Sequence, residues 1–157
     1  MNKKKLQEIL LREFSQFSRT QKKMFNQVVK PTLKTESDIL NYSVLYPTFL
    51  DGMEVLKGDF ISYGQDINMQ RIIYKVLSDT MCSDEYPPTK QIDLYQKIGY
   101  TEKDGVEYRV WTEREQGYDK DEVVPYKDEN GVVKWYQPYR NKTINPPTHS
   151  FSWKEVG

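Results

Sequence analysis

Two hydrophobic patterns divide the chain. Between residues 4 and 29, Leu6, Leu10, Phe14, Phe17, Met24 and Val28 recur on one face at spacings of three and four, with polar Gln21 continuing the stripe. The spacing predicts an amphipathic helix that stops at Pro31, which lacks an amide donor and disfavours helix at the residue before it. Part of the stripe also obeys a heptad alternation, over fewer than three heptads, too short to specify a coiled coil. The rest of the sequence offers no helical partner. The stripe is therefore expected to pack on the remaining chain, on copies of itself or on a larger assembly.

Beyond Pro31 the pattern changes. Residues 31–43 read as a linker with a helical turn around Glu36-Ser37-Asp38-Ile39-Leu40, and short apolar runs separated by turn residues follow to the C-terminus, as in a small all-β unit. Strands are expected at 60–63 and 71–77 around the turn Gly64-Gln65-Asp66-Ile67-Asn68, and at 123–126 and 132–136 around Asp128-Glu129-Asn130-Gly131. Asn-Gly between β-prone runs is a strong hairpin cue, since both residues tolerate positive φ. Tyr86-Pro87-Pro88 and Asn145-Pro146-Pro147 read as extended loops, because proline supplies no ladder donor, and each leads to a closing apolar segment, 92–98 and 151–156.

These features repeat. Phe49 is echoed by Trp111, residues 57–63 by 120–126, Ile73-Tyr74 by Trp135-Tyr136, and 94–98 by 152–156, at offsets of 62, 63, 62 and 58. The predicted fold is mainly β with an N-terminal α-helix. Residues 1–30 form an attachment or oligomerisation helix and 31–43 a linker; 44–98 form a first three-stranded module, 99–107 a second linker and 108–157 a second module. A duplicated small module points to binding rather than to catalysis, and no enzymatic activity is expected.

Composition narrows this reading. Lys plus Arg and Asp plus Glu balance at 23 each, so no overall field draws the chain to nucleic acid or to an anionic membrane. The excess of Lys and Arg in residues 1–30 reads as a solvated helix face or as contact with an acidic partner surface. Aromatic residues make up 13% of the chain, enough large side chains to fill two small cores. The single cysteine, Cys82, excludes an intrachain disulfide and a cysteine-rich zinc site. No apolar run is long enough to span a bilayer, and the charged N-terminus lacks the apolar core of a signal peptide, so synthesis and folding in a cytoplasm are expected.

Candidates for chemistry are few. His149, the only histidine, has no nearby cysteine or acidic ligand pair, and neither a catalytic nor a metal role is expected for it. Cys82 beside Asp84 and Glu85 is expected to keep a raised thiol pKa and to act as a half-buried filler. The sequence has no phosphate-binding glycine loop, nucleophile elbow or paired-histidine helix. The acidic clusters sit in turn-like stretches, and no cofactor is expected. Aromatics are the remaining signal. Those repeated in both modules (Phe49 and Trp111, Tyr74 and Tyr136, Tyr95 and Trp153) are expected in the cores. The non-repeated Tyr86, Tyr100, Trp135 and Tyr139, near loops, are the candidates for stacking on sugar.

Phe49, Leu56-Lys57-Gly58-Asp59-Phe60-Ile61, Ile73-Tyr74-Lys75-Val76, Tyr86-Pro87-Pro88 and Leu94-Tyr95-Gln96-Lys97-Ile98 together resemble the small chitin-binding modules of chitinases and cellulases, carbohydrate-binding families 5 and 12. The versions carried by proteins of tailed bacteriophages and prophages, with a helical leader before two tandem modules, are more similar still. Trp111, Tyr118, Val124, Tyr136 and Trp153 fit a second copy, and the resemblance spans residues 44–156. Two departures stand out. The adjacent tryptophans that such modules carry after the Tyr-Lys strand are here Ser78-Asp79 and Arg140-Asn141, and the Gly-Asp turn is Asp121-Glu122 in the second copy.

The resemblance implies a virion protein of the tail, baseplate or head appendage, made in the host cytoplasm. Its partners would be other virion proteins, copies of itself and bacterial surface polysaccharide, held weakly and multivalently. The missing tryptophans favour a rival, a purely structural fibre or decoration protein whose modules bind other proteins and no sugar. An accessory subunit of a polysaccharide-degrading enzyme fits less well.

Overall fold

A computed structural model of the chain describes residues 33–157. The helix expected over residues 4–29, with its stripe Leu6, Leu10, Phe14, Phe17, Met24 and Val28, lies outside these residues. The described residues are mainly β, arranged in small antiparallel sheets of two or three strands. They divide into two compact units: Tyr42–Ile98 (unit 1), and Leu33–Asn41 with Gly99–Gly157 (unit 2). No helix among them is long and apolar enough to cross a membrane.

Unit 1 is built on β2 (Phe60–Gln65), β3 (Arg71–Val76) and β5 (Tyr95–Ile98), with β3 central. Ile61 pairs with Tyr74, and Val76 with Tyr95. A smaller pair, β1 (Glu54–Val55) and β4 (Thr80–Met81), closes one side. The alternation of β-branched and aromatic residues puts Ile61, Tyr74, Val76 and Tyr95 into one core with Phe49, Val55 and Cys82. Ile61 and Val76 are fully buried, and each such side chain contributes about 1.5–3 kcal/mol of transfer free energy. Phe49 meets Tyr63 and Tyr95 edge to face at 5.2 and 6.3 Å. Arg71 fastens the preceding segment to β2, donating to Ser62 Oγ, the Ser43 carbonyl and Thr48 Oγ1.

Unit 2 repeats the strand order with β8 (Val124–Lys127), β9 (Val133–Pro138) and β10 (Trp153–Val156), β9 central. Val124 pairs with Tyr136, and Pro138 with Trp153. Its core joins Trp111, Tyr118, Val124 and Trp153, flanked by Tyr126 and Tyr136. The Tyr118 hydroxyl accepts from Thr112 N at 2.9 Å and donates to Thr112 O at 3.0 Å, so a buried phenol is fully used. Pro125 is tolerated inside β8 because β8 is an edge strand; its carbonyl accepts from Trp111 N.

Two segments read as linkers carry structure. Within 31–43, α1 (Glu36–Asn41) starts on a reciprocal cap, Asp38 N to Thr35 Oγ1 and Thr35 N to Asp38 Oδ2, and belongs to unit 2. Glu36 pairs with Lys127 of β8 at 2.6 Å, and Leu40 packs so closely over Gly99 that a Cβ there would lie 2.3 Å from it. Within 99–107, and on to residue 109, β6 (Tyr100–Lys103) and β7 (Val106–Arg109) form a hairpin. Asp104 and Gly105 both take positive φ, 53° and 80°, as a two-residue turn of matching twist requires. The Asn130-Gly131 cue is met differently. Gly131 N closes a turn on Asp128 O and only Gly131 has positive φ, giving a longer loop than the two-residue turn.

Candidate functional site

The hydrogen bonds around the loops occur in equivalent pairs. The Asp59 carboxylate accepts from Leu56 N, three residues back, and Glu122 accepts from Asp119 N. Lys57 N donates to Asp79 Oδ1, and Lys120 N to Asn141 Oδ1. In the hairpin loops, Asp66 Oδ1 takes Asn68 N and Gln70 N, while Asp128 Oδ1 takes Asn130 N and Val132 N. Leu77 N donates to Leu94 O as Tyr139 N donates to Ser152 O. A short polar side chain bonding to nearby backbone amides fixes a turn whatever the core contains. These bonds therefore put the turns of the two units in register, while the core fillings and the outward side chains differ.

Asp79 and Asn141 occupy second positions of the expected tryptophan pairs. Both spend their side chains on the backbone of a neighbouring loop, so neither is a stacking surface.

Of the four candidate aromatics, Tyr86 is exposed on unit 1 after a Ser83–Tyr86 turn and before the buried Pro87-Pro88. The other three belong to unit 2. Tyr100 is half-buried; its hydroxyl accepts from Arg109 Nη1 at 2.8 Å and its ring lies 5.6 Å from that guanidinium. Trp135 is half-buried too. Tyr108 meets its ring edge to face at 5.1 Å, and the Lys103 ammonium sits 4.8 Å from the ring centroid. Lys103 also donates to the Gly157 carbonyl. Ring surface already covered by protein is not open for a sugar.

Tyr139 is placed differently. It is 57% exposed and lines a cleft of about 400 Å³ with Arg140, Thr143, Phe151 and Ser152. Phe151 is 88% exposed, with the His149 ring 6.1 Å away. Behind the cleft, Ser152 Oγ lies 2.9 Å from His149 Nδ1 and accepts from Asn145 Nδ2, and the Asn145 carbonyl takes the indole N–H of buried Trp153 at 2.7 Å. The core thus holds the cleft wall in place. The Thr143 hydroxyl donates to the Arg140 carbonyl. Phe151, Thr143 and Ser152 are not among the sequence candidates, Phe151 because it reads as part of the closing apolar run 151–156, and Arg140 enters the sequence reading only as a position of a missing tryptophan. The counterpart of Phe151 in unit 1 is Asp93, so Phe151 too is a non-repeated aromatic beside a loop.

Other groups are structural. Cys82 is fully buried rather than half-buried; burial, and not the acidic neighbours expected from the sequence, pushes the thiol up, opposed by the Tyr95 hydroxyl 3.8 Å from Sγ. Burial also raises the Tyr126 phenol, and the Asp38 carboxylate adds to that shift. Among the described residues no group of three or more His, Cys, Asp or Glu is arranged to hold a metal ion.

No family model, no curated protein and no solved structure matches the chain.

Proposed function

We propose that the chain is a structural or accessory protein of a tailed-phage virion, made in the host cytoplasm, whose two units are copies of one small carbohydrate-binding-like module. Residues 1–30 dock it on other virion proteins or on copies of itself, and unit 2 attaches weakly to host surface glycan. The observation that supports this best is the exposed pair Tyr139 and Phe151, set in a cleft on a framework whose turn bonds recur in unit 1. Aromatic faces exposed beside hydroxyls and a guanidinium are suited to the C–H faces and hydroxyls of a pyranose. Weak single sites are sufficient on a particle, because linked copies gain avidity through effective concentration.

The test is retention of the full chain on isolated host envelope polysaccharide. Tyr139→Ala and Phe151→Ala should each weaken it several-fold, whereas Trp135→Phe should not. A purely structural role is the second reading, favoured by Asp79 and Asn141 at the tryptophan positions. Under that reading a glycan array gives no signal while deletion of residues 1–30 still abolishes incorporation into particles. Unchanged incorporation and unchanged oligomeric state after that deletion would refute the docking role of the leader.

A further inference from the structure

We infer that the cleft of unit 2 takes an acidic sugar, a hexuronate-type residue, and that unit 1 does not bind it. This rests on the glycan reading above and specifies its ligand. Five residues line the cleft, and none is a carboxylate. The one charge among them is Arg140, which is exposed and makes no ion pair among the described residues. Other arginines of the unit are engaged. Arg114 pairs with Glu122 at 2.9 Å and lies over the Tyr118 ring, and Arg109 bonds the Tyr100 hydroxyl. A free guanidinium beside two exposed rings matches a ligand that brings its own carboxylate on an apolar ring face. The planar fork donates two parallel N–H bonds to such a carboxylate.

The equivalent positions of unit 1 make the contrast. The bonds Leu77 N to Leu94 O and Tyr139 N to Ser152 O align the two loops. Leu77 then stands for Tyr139, Ser78 for Arg140, and Asp93 for Phe151. At these positions unit 1 therefore has neither ring and no guanidinium, and it places an exposed carboxylate where Phe151 sits. It lacks each attraction and would repel an anion. One acidic-sugar site per chain follows.

The experiment titrates the full chain with oligogalacturonate and with the same oligomer after chemical reduction of its carboxyl groups. The expected results are one site per chain, roughly tenfold weaker binding of the reduced oligomer, and a similar loss for Arg140→Met with the acidic probe alone. Phe151→Ala should weaken both probes. Both side chains are solvent-facing, and unchanged Trp emission from the buried Trp111 and Trp153 checks that the fold is intact. Equal binding of the two oligomers, unaltered in Arg140→Met, would overturn the acidic preference and leave the glycan reading standing. Two sites per chain, with Asp93→Ala strengthening the second, would overturn the exclusion of unit 1. No binding of either oligomer would overturn this inference, and the glycan reading falls with it only if host envelope polysaccharide is also not retained.

Discussion

Where unit 1 packs Val55, Cys82 and Tyr95 together, unit 2 packs Tyr118 against Trp153, ring centroids 5.6 Å apart. Around these different fillings the turns are held by the same bonds, from Asp59 and Glu122, Asp79 and Asn141, Asp66 and Asp128. A core accepts many fillings of similar volume, whereas a turn bonded by a side-chain oxygen accepts few residues. The outward loops obey neither constraint, and there the units diverge most, Ser78 and Asp93 against Arg140 and Phe151. Comparing the two units thus separates what holds the fold from what is left free for binding.

The sharpest way to break the comparison is in the cores. All three tryptophans lie in unit 2 and the only cysteine lies buried in unit 1, so indole emission reports one unit and thiol labelling the other. Trp153→Ala removes a buried ring, its contact with Tyr118 and its N–H bond to Asn145 O, and should destabilise unit 2 by about 3–5 kcal/mol. Emission from Trp111 and Trp135 should then shift at low denaturant while Cys82 stays protected. Simultaneous labelling of Cys82 would mean that the two units unfold as one.

Alkaline pH should act mainly on unit 1. Burial pushes the phenols of Tyr46 and Tyr95 well above their ordinary 10.0, and both are neutral in the fold. Below pH 10 the unfolded chain is also protonated and stability is fully present. As pH rises past 10 only the unfolded chain ionises, so stability is lost progressively toward the raised folded values, by up to about 1.4 kcal/mol per phenol for each pH unit. Among the described residues the Tyr46 hydroxyl has no hydrogen-bond partner and that of Tyr95 meets the Cys82 sulfur, so the double variant Tyr46→Phe, Tyr95→Phe should keep unit 1 folded to higher pH. Tyrosinate absorbance followed in parallel with thiol labelling tests this. An unchanged alkaline midpoint in the double variant would show that other groups govern it.

Much of this framework was legible in the sequence, since the offsets 62, 63 and 58 reappear as Tyr74 and Tyr136, Ile61 and Val124, and Tyr95 and Trp153 in equivalent pairings. Aromatic and turn residues mark strand ends, so their repetition carries register. The hairpin 100–109 was missed although Asp104-Gly105 is a hairpin cue. Its strands alternate charged residues, as in Glu102 and Glu107, which weakens the period-two apolar signal. That same hairpin covers Trp135, and a non-local contact of this kind has no local trace. Phe151 was hidden for the opposite reason, an apolar residue in an apolar run whose side chain faces solvent.

Turn carboxylates should matter in both units. Asp59→Ala removes the charge-assisted bond from Leu56 N and should cost at least about 1 kcal/mol in unit 1. In unit 2, Glu122→Ala removes the bond from Asp119 N together with the Arg114 pair, whereas Arg114→Met removes the pair and keeps the turn bond, so the first should cost more than the second. Urea midpoints read by Trp emission compare these two, and equal losses would mean that the turn bond contributes nothing measurable.

The smallest expected effect lies at the tips of the two hairpin loops, where equivalent left-handed positions hold Met69 (φ 61°) and Gly131 (φ 80°). A side chain with a Cβ is strained there, while glycine adopts the conformation freely but loses more entropy on folding. Because these terms partly cancel, Met69→Gly should stabilise unit 1 by only about 0.5–1 kcal/mol, and Gly131→Met should destabilise unit 2 by a similar amount. The Met69 side chain is 76% exposed, so little packing is lost in the exchange. Urea midpoints measured by Cys82 labelling for the first variant and by Trp emission for the second should move in opposite directions. If Met69→Gly instead weakens unit 1, the methionine contributes to packing at the tip and the two loops are equivalent in hydrogen bonding but not in energy.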